Sequence, residues 1–192
     1  MLKVKNILRT LAVCVIIAFV CLFGYLMLQN MCAELFVHWG LEARAENVNM
    51  FANGFWLMFI SGAILAPVIE ELIFRLLACK LLQLTKMPIW CVIIISAVAF
   101  AVYHHSWSQT IYQLLMGIWL AWIFLKTHHI GWTMMIHFIN NAFIITYTYF
   151  AGNGSGVFDL SAGNIVLSLL LAAVTTITVF FLIKKGIPNY EK

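Results

Sequence analysis

Six apolar runs, separated by short polar breaks, dominate the chain: Ile7 to Leu28, Phe51 to Cys79, Pro88 to Tyr103, Ile111 to Leu125, Gly131 to Phe150 and Ile165 to Ile183. The second is long and the fourth short against the roughly 20 apolar residues that carry a helix across a bilayer core. The pattern predicts an all-α fold, a polytopic membrane bundle of about six transmembrane helices, with the whole chain, 1–192, as one domain. No internal repeat and no low-complexity tract interrupts it.

Composition sharpens this reading. Hydrophobic residues make up 64%, charged residues 9%, and the mean hydropathy is +1.00, values that exclude a soluble globule and predict a multi-pass protein of the cell membrane surrounded by lipid. Nothing in it points to a nucleic-acid partner. The five cysteines (Cys14, Cys21, Cys32, Cys79, Cys91) contain no C-x-x-C pair, and so read as small hydrophobes packed between helices.

Charge sets the expected orientation. Lys3, Lys5 and Arg9 precede an apolar run that is too long for a signal peptide and has no A-x-A-like site after it, so it reads as an uncleaved first span. With the N-terminus inside, ten of the eleven basic residues fall on the cytoplasmic side, Arg44 being the exception, and both termini are expected in the cytoplasm. The outer side then receives a loop from Gln29 to Met50, holding Glu34, Glu42, Arg44 and Glu46, and a polar turn from Gly152 to Gly163 with Asn153, Gly154, Ser155 and Asp159. Trp90, Tyr103, Trp107, Tyr112, Trp132 and Tyr149 fall near segment ends, as interfacial anchors do.

Against this background Glu70, Glu71 and Arg75 stand out, three charges inside the second run. Even on a lenient insertion scale one Asp at a helix centre costs about 2.5–3.5 kcal/mol, so such groups are retained for a use. Glu71 and Arg75 are i and i+4 and share a helix face, which pairs them as a structural ion pair. Glu70 is turned about 100° away, which either leaves it to face a cavity as a general base or makes the trio a buried ion cluster that pins helices together. On the third run Ser96, Phe100 and His104 form one stripe, and on the fifth His137 and Asn141 repeat the i, i+4 spacing. The remaining histidines, His38, His105, His128 and His129, read as solvated.

The boxes Glu70-Glu71-x-x-x-Arg75, Phe100-x-x-x-His104 and His137-x-x-x-Asn141, in this order within a motif core spanning 66–141, resemble the CAAX-protease and bacteriocin-processing (CPBP, or Abi) family of intramembrane proteases. Leu76 stands where that family often has glycine, and no proline precedes His137. The resemblance implies endopeptidase activity in the membrane on a peptide or membrane-protein substrate, with Glu70, Glu71, His104, His137 and Asn141 as the site. It gives Glu70 the activation of water, His104 an assisting role, and His137 with Asn141 the binding of the oxyanion. Members are commonly classed as metalloproteases. No H-E-x-x-H zinc helix occurs here, but Glu70 or Glu71, His104 and His137 would supply three ligands to one divalent metal such as zinc, and a metal-free glutamate mechanism uses the same residues. The small size fits members linked to bacteriocin self-immunity or peptide maturation. Two other classes compete: a non-catalytic membrane binding or immunity protein, and a proton-coupled transporter, although the two related halves usual in transporters are not found.

Overall fold

A computed structural model describes residues 2–41, 51–151 and 160–188. Six helical rods account for nearly all of them: α1 (Leu2–His38), α2 (Phe55–Leu84), α3 (Ile89–Tyr103), α4 (Trp107–Thr127), α5 (Ile130–Ala151) and α6 (Ala162–Gly186), with no strand among the described residues. Four of them, α1, α2, α4 and α6, are long and apolar enough to cross a membrane, and α3 is a shorter apolar helix. The fold is therefore the membrane helix bundle that the hydrophobic pattern predicts.

One boundary differs. The stretch from Gln29 to His38, expected in an outer loop, continues α1. Mean hydropathy falls there, but the apolar stripe does not: Leu28, Met31 and Cys32 are buried, and Leu35 and Phe36 pack against the same core at helical spacing. Glu42, Arg44 and Glu46 of that loop, and most of the Gly152 to Gly163 turn, lie outside the described residues.

The main core joins α1, α4, α5 and α6 through Cys14, Ile17, Cys21, Trp119, Leu120, Ile136 and Val179. Large apolar side chains such as Phe19, Phe23, Ile94, Val98, Leu170 and Val174 are exposed on the outer faces, the arrangement that lipid stabilises. Because lipid tails are as apolar as leucine, helix association depends on close packing and hydrogen bonds. Both are present. A Cβ on Gly117 of α4 would come within 2.9 Å of the Ala97 Cα on α3. The Trp119 indole N–H donates to the Tyr25 hydroxyl at 3.1 Å, which is itself 3.0 Å from the Thr176 hydroxyl, so α1, α4 and α6 share one buried chain of hydrogen bonds. Tyr112 is not the interfacial anchor its position in the sequence predicts: it is buried, and its hydroxyl donates to Asn140 Oδ1 at 2.6 Å, linking α4 to α5. All four cysteines of the apolar helix interiors, Cys14, Cys21, Cys32 and Cys79, are buried free thiols.

At one end of the bundle basic side chains cap the carbonyls that α6 leaves without intrahelical partners. Arg9 donates to the Lys185 carbonyl, and Lys126 Nζ lies 2.8 Å from the Ile183 carbonyl and 3.0 Å from that of Lys184. Arg9, Lys126, Lys184 and Lys185 are thus gathered at the same end.

The α2–α3 hairpin decides the height of the site. A ruler drawn from the apolar runs puts His104 roughly 24 Å above Pro88, too far for Glu70 if α2 stops at Cys79. In the fold α2 continues to Leu84. At a rise of about 1.5 Å per residue, Glu70 then stands about 21 Å above Leu84 and His104 about 22 Å above Ile89, so the antiparallel pair brings them level.

Candidate active site

Three helices place one ionisable group after another in a single buried cluster. On α2 the α-helical piece Ala66–Glu71 carries Glu70 and Glu71, and Arg75 follows one turn on. Glu71 and Arg75 are fully buried, and Nε of Arg75 lies 3.2 Å from Glu71 Oε2, the i, i+4 ion pair expected from the spacing. The guanidinium carbon sits 4.4 Å from the centre of the Phe100 ring on α3, so the cation rests on an aromatic face as well as on a carboxylate. Its Nη1 and Nη2 have no other hydrogen-bond partner among the described residues.

From α5, His137 reaches between the two glutamates. Its Nδ1 is 3.0 Å from Glu71 Oε1 and its Nε2 is 3.6 Å from Glu70 Oε2. At the C-terminal end of α3, His104 Nδ1 lies 2.9 Å from the Phe100 carbonyl and its Nε2 3.8 Å from the same Glu70 oxygen. These partners assign the tautomers. A carbonyl only accepts, so His104 Nδ1 carries a hydrogen; the Glu71 carboxylate, paired with Arg75, also accepts, so His137 Nδ1 carries one too. Both Nε2 atoms are aimed at the buried Glu70 oxygen, which has no hydrogen-bond partner of its own among the described residues, and a ring in its neutral form would offer a lone pair there. Three basic atoms converge on one point, at separations too long for direct hydrogen bonds. A proton donor or another electrophile would fit at such a point.

Phe100, fully buried, is the floor of this cluster. Its ring meets His104 edge-on at 4.8 Å, His137 at 5.6 Å and Phe74 at 5.4 Å, and carries Arg75 on its face. The i, i+4 stripe with His104 pointed to this residue, but nothing in the sequence assigned it to Arg75. Thr133, buried one turn before His137, donates its hydroxyl to the Ile130 carbonyl at 2.9 Å.

Of the residues singled out in the sequence, Glu70, Glu71, Arg75, His104 and His137 therefore meet. Asn141, one turn beyond His137, donates from Nδ2 to the Gly62 carbonyl of α2 at 2.9 Å. His38, His105, His128 and His129 are exposed, as expected.

A metal test of the same atoms gives a mixed answer in kind and spacing. Two imidazole nitrogens and one carboxylate, with His137 backed by Glu71, are the donor chemistry of a catalytic zinc site. Tetrahedral ligands on bonds of about 2.0–2.1 Å are, however, roughly 3.4 Å apart, and the separations here are 3.6 and 3.8 Å. Among the described residues no three His, Cys, Asp or Glu side chains form a metal-coordinating group.

A polytopic α-helical bundle with a carboxylate–imidazole cluster buried between its helices defines an integral membrane protein with an ionisable site inside its helix bundle. Residues 52–143, the segment that holds every residue of the cluster, match the family described as Type II CAAX prenyl endopeptidase Rce1-like. The matched stretch runs from just before α2 into α5, leaving α1 and α6 outside it. No curated protein and no solved structure matches the chain.

Proposed function

We propose that this protein hydrolyses a peptide bond of a membrane-associated peptide or protein, with water activated by Glu70. The observation that carries the reading is the placement of Glu70 Oε2 opposite two imidazole Nε2 atoms whose Nδ1 hydrogens are already committed. A water molecule at this point donates one hydrogen to Glu70 and another to an imidazole, which leaves its oxygen lone pair for the scissile carbonyl. As the C–O bond forms, Glu70 takes the proton; as the C–N bond breaks, the protonated Glu70 passes it to the leaving amine. His104 orients the water. His137, held by Glu71 and Arg75, offers the oxyanion its Nε2 hydrogen as the imidazolium and keeps that proton throughout, and the second Nδ2 hydrogen of Asn141, one turn beyond, assists. Burial among apolar helices strengthens each of these interactions.

The substrate enters by the chemistry of its surroundings. With short connections between helices, selection falls to the helices around Glu70, and a lipid-embedded or prenylated peptide segment is the class that reaches them; self-immunity against a bacteriocin or maturation of a secreted peptide are roles consistent with such a substrate. The purified protein in lipid, incubated with a candidate membrane peptide and with Glu70→Gln as control, tests the reading: new peptide termini detected by mass spectrometry in the parent alone support it, and equal product from both removes Glu70 as the base.

A second reading is favoured by the convergence of three lone-pair atoms. Glu70, His104 and His137 would hold a divalent cation such as zinc, which would supply Lewis-acid polarisation of water or carbonyl. Metal content of the purified protein, compared between the parent and His137→Ala, separates the two readings.

A further inference from the structure

Two stretches of α2 leave the α-helical hydrogen-bond pattern for the wider π pattern, Phe59–Leu65 and Leu72–Cys79, and both glutamates lie on the short α-helical piece between them. Such widened turns are rare and cluster at functional sites. The first has a readable cause. Pro67 has no N–H, and its ring crowds the carbonyl four residues back, which a wider turn relieves. The Ala66 N–H bonds to the Ser61 carbonyl, five residues back. In the same pattern the Gly62 carbonyl would be met by residue 67, whose nitrogen carries no hydrogen. Its donor comes from another helix instead: Asn141 Nδ2 of α5, at 2.9 Å.

The second stretch contains no proline but also receives a side-chain donor from a neighbouring helix. The Phe74 carbonyl receives the Ser96 hydroxyl of α3 at 2.9 Å and the Cys79 thiol at 3.3 Å. Ser96 is buried, and α3 packs along this part of α2 as α5 packs along Phe59–Leu65. Side-chain donors re-satisfying loosened backbone are the usual means by which an irregular helix is tolerated in lipid. Here they stand on both sides of the glutamate pair.

Register is what they control. One residue of slip between π and α patterns turns the helix beyond it by about 100°, the angle that separates Glu70 from Glu71. We infer that Asn141 and Ser96 are positioning residues, whose bonds to the Gly62 and Phe74 carbonyls lock α2 in the register that presents Glu70 to the two imidazole Nε2 atoms and Glu71 to Arg75 and His137 Nδ1. For its kinetic consequence this rests on the proposed hydrolysis; the register itself does not.

The test reads the register directly. In protein whose native cysteines are replaced, His104→Cys is combined with either Glu70→Cys or Glu71→Cys and treated with a short bismaleimide in lipid vesicles. With Asn141 intact, the 70–104 pair cross-links at least fivefold more than the 71–104 pair. Adding Asn141→Ala narrows this preference to below twofold, and adding Pro67→Ala as well, which returns an N–H to the Gly62 carbonyl, restores it. Turnover supplies the second readout: Asn141→Ala lowers kcat about tenfold or more, and Asn141→Ala with Pro67→Ala recovers at least threefold of it, the part that register accounts for. Ser96→Ala lowers kcat with KM within twofold, and Ser96→Thr, keeping the hydroxyl, recovers it. An unchanged cross-linking preference in Asn141→Ala overturns the inference whether or not a substrate is cleaved. So does a folded double variant that cross-links no better than Asn141→Ala.

Discussion

Glu71 accepts a 3.0 Å hydrogen bond from His137 Nδ1 while its other oxygen lies 3.2 Å from the Arg75 guanidinium, so one buried carboxylate both balances a cation and sets a tautomer. Glu71→Gln removes the charge and keeps the shape. The fully buried guanidinium is then uncompensated, and breaking such a pair costs about 3–5 kcal/mol. Unfolding of the purified variant in detergent should show a loss of this size, larger than that for Glu70→Gln. A Glu71→Gln protein as stable as the parent would mean that Arg75 finds its counter-charge elsewhere.

Glu70→Gln should insert and fold as the parent does, because Glu70 bears no ion pair as close as that between Glu71 and Arg75. An amide cannot take the proton of water, so product formation should fall by at least about 10²-fold, the low end of what positioned acid–base catalysis contributes. Melting temperature and peptide cleavage, measured on the same preparation, separate the two effects.

Phe100→Leu keeps an apolar side chain but loses the ring beneath Arg75 and the edge contacts to both histidines. A desolvated cation–π contact contributes about 2 kcal/mol, so stability should drop by roughly that amount. As the imidazoles lose their floor, kcat should fall more than KM rises. Steady-state kinetics and thermal unfolding check this together.

Gly117→Ala tests the packing of α4 on α3, since the added carbon would meet the Ala97 backbone at 2.9 Å and neither helix can yield without moving as a unit. Overpacking of this kind costs about 1–3 kcal/mol. Gly163→Ala, with nothing within 4 Å of its new carbon, is the control and should unfold at the parent's temperature.

The charge bias predicts both termini in the cytoplasm and position 40 outside. Single cysteines at positions 3, 40 and 188, in protein without the native cysteines, report this by their access to a membrane-impermeant maleimide. Labelling of position 188 from the outer side alone would reverse the assignment.

Hydropathy and charge along the chain place the helices and single out the ionisable groups that meet. Helices in lipid must be apolar along their length, so hydropathy located six of them, and charges that survive there are few enough to read one by one: Glu70, Glu71 and Arg75 on one run, His104 and His137 on two others. The pairing of Glu71 with Arg75 was legible because i, i+4 contacts are local. What the amphipathic end of α1 did beyond Leu28 was present in the stripe of Met31, Cys32, Leu35 and Phe36, but a mean hydropathy averages such a stripe away.

Tertiary structure alone decided where the donors went. Asn141 donates to Gly62, Ser96 to Phe74 and Tyr112 to Asn140, and each partner lies on a different helix. Pro67 announces that a carbonyl upstream will lack its N–H, but not which helix will come near enough to answer it. The same holds for Phe100 under Arg75 and for the common height of Glu70 and His104, which follows from α2 ending at Leu84. A side chain's reach is a few ångströms, so its partner is chosen by how neighbouring helices dock, and docking depends on contacts such as Gly117 on Ala97 that no single helix contains.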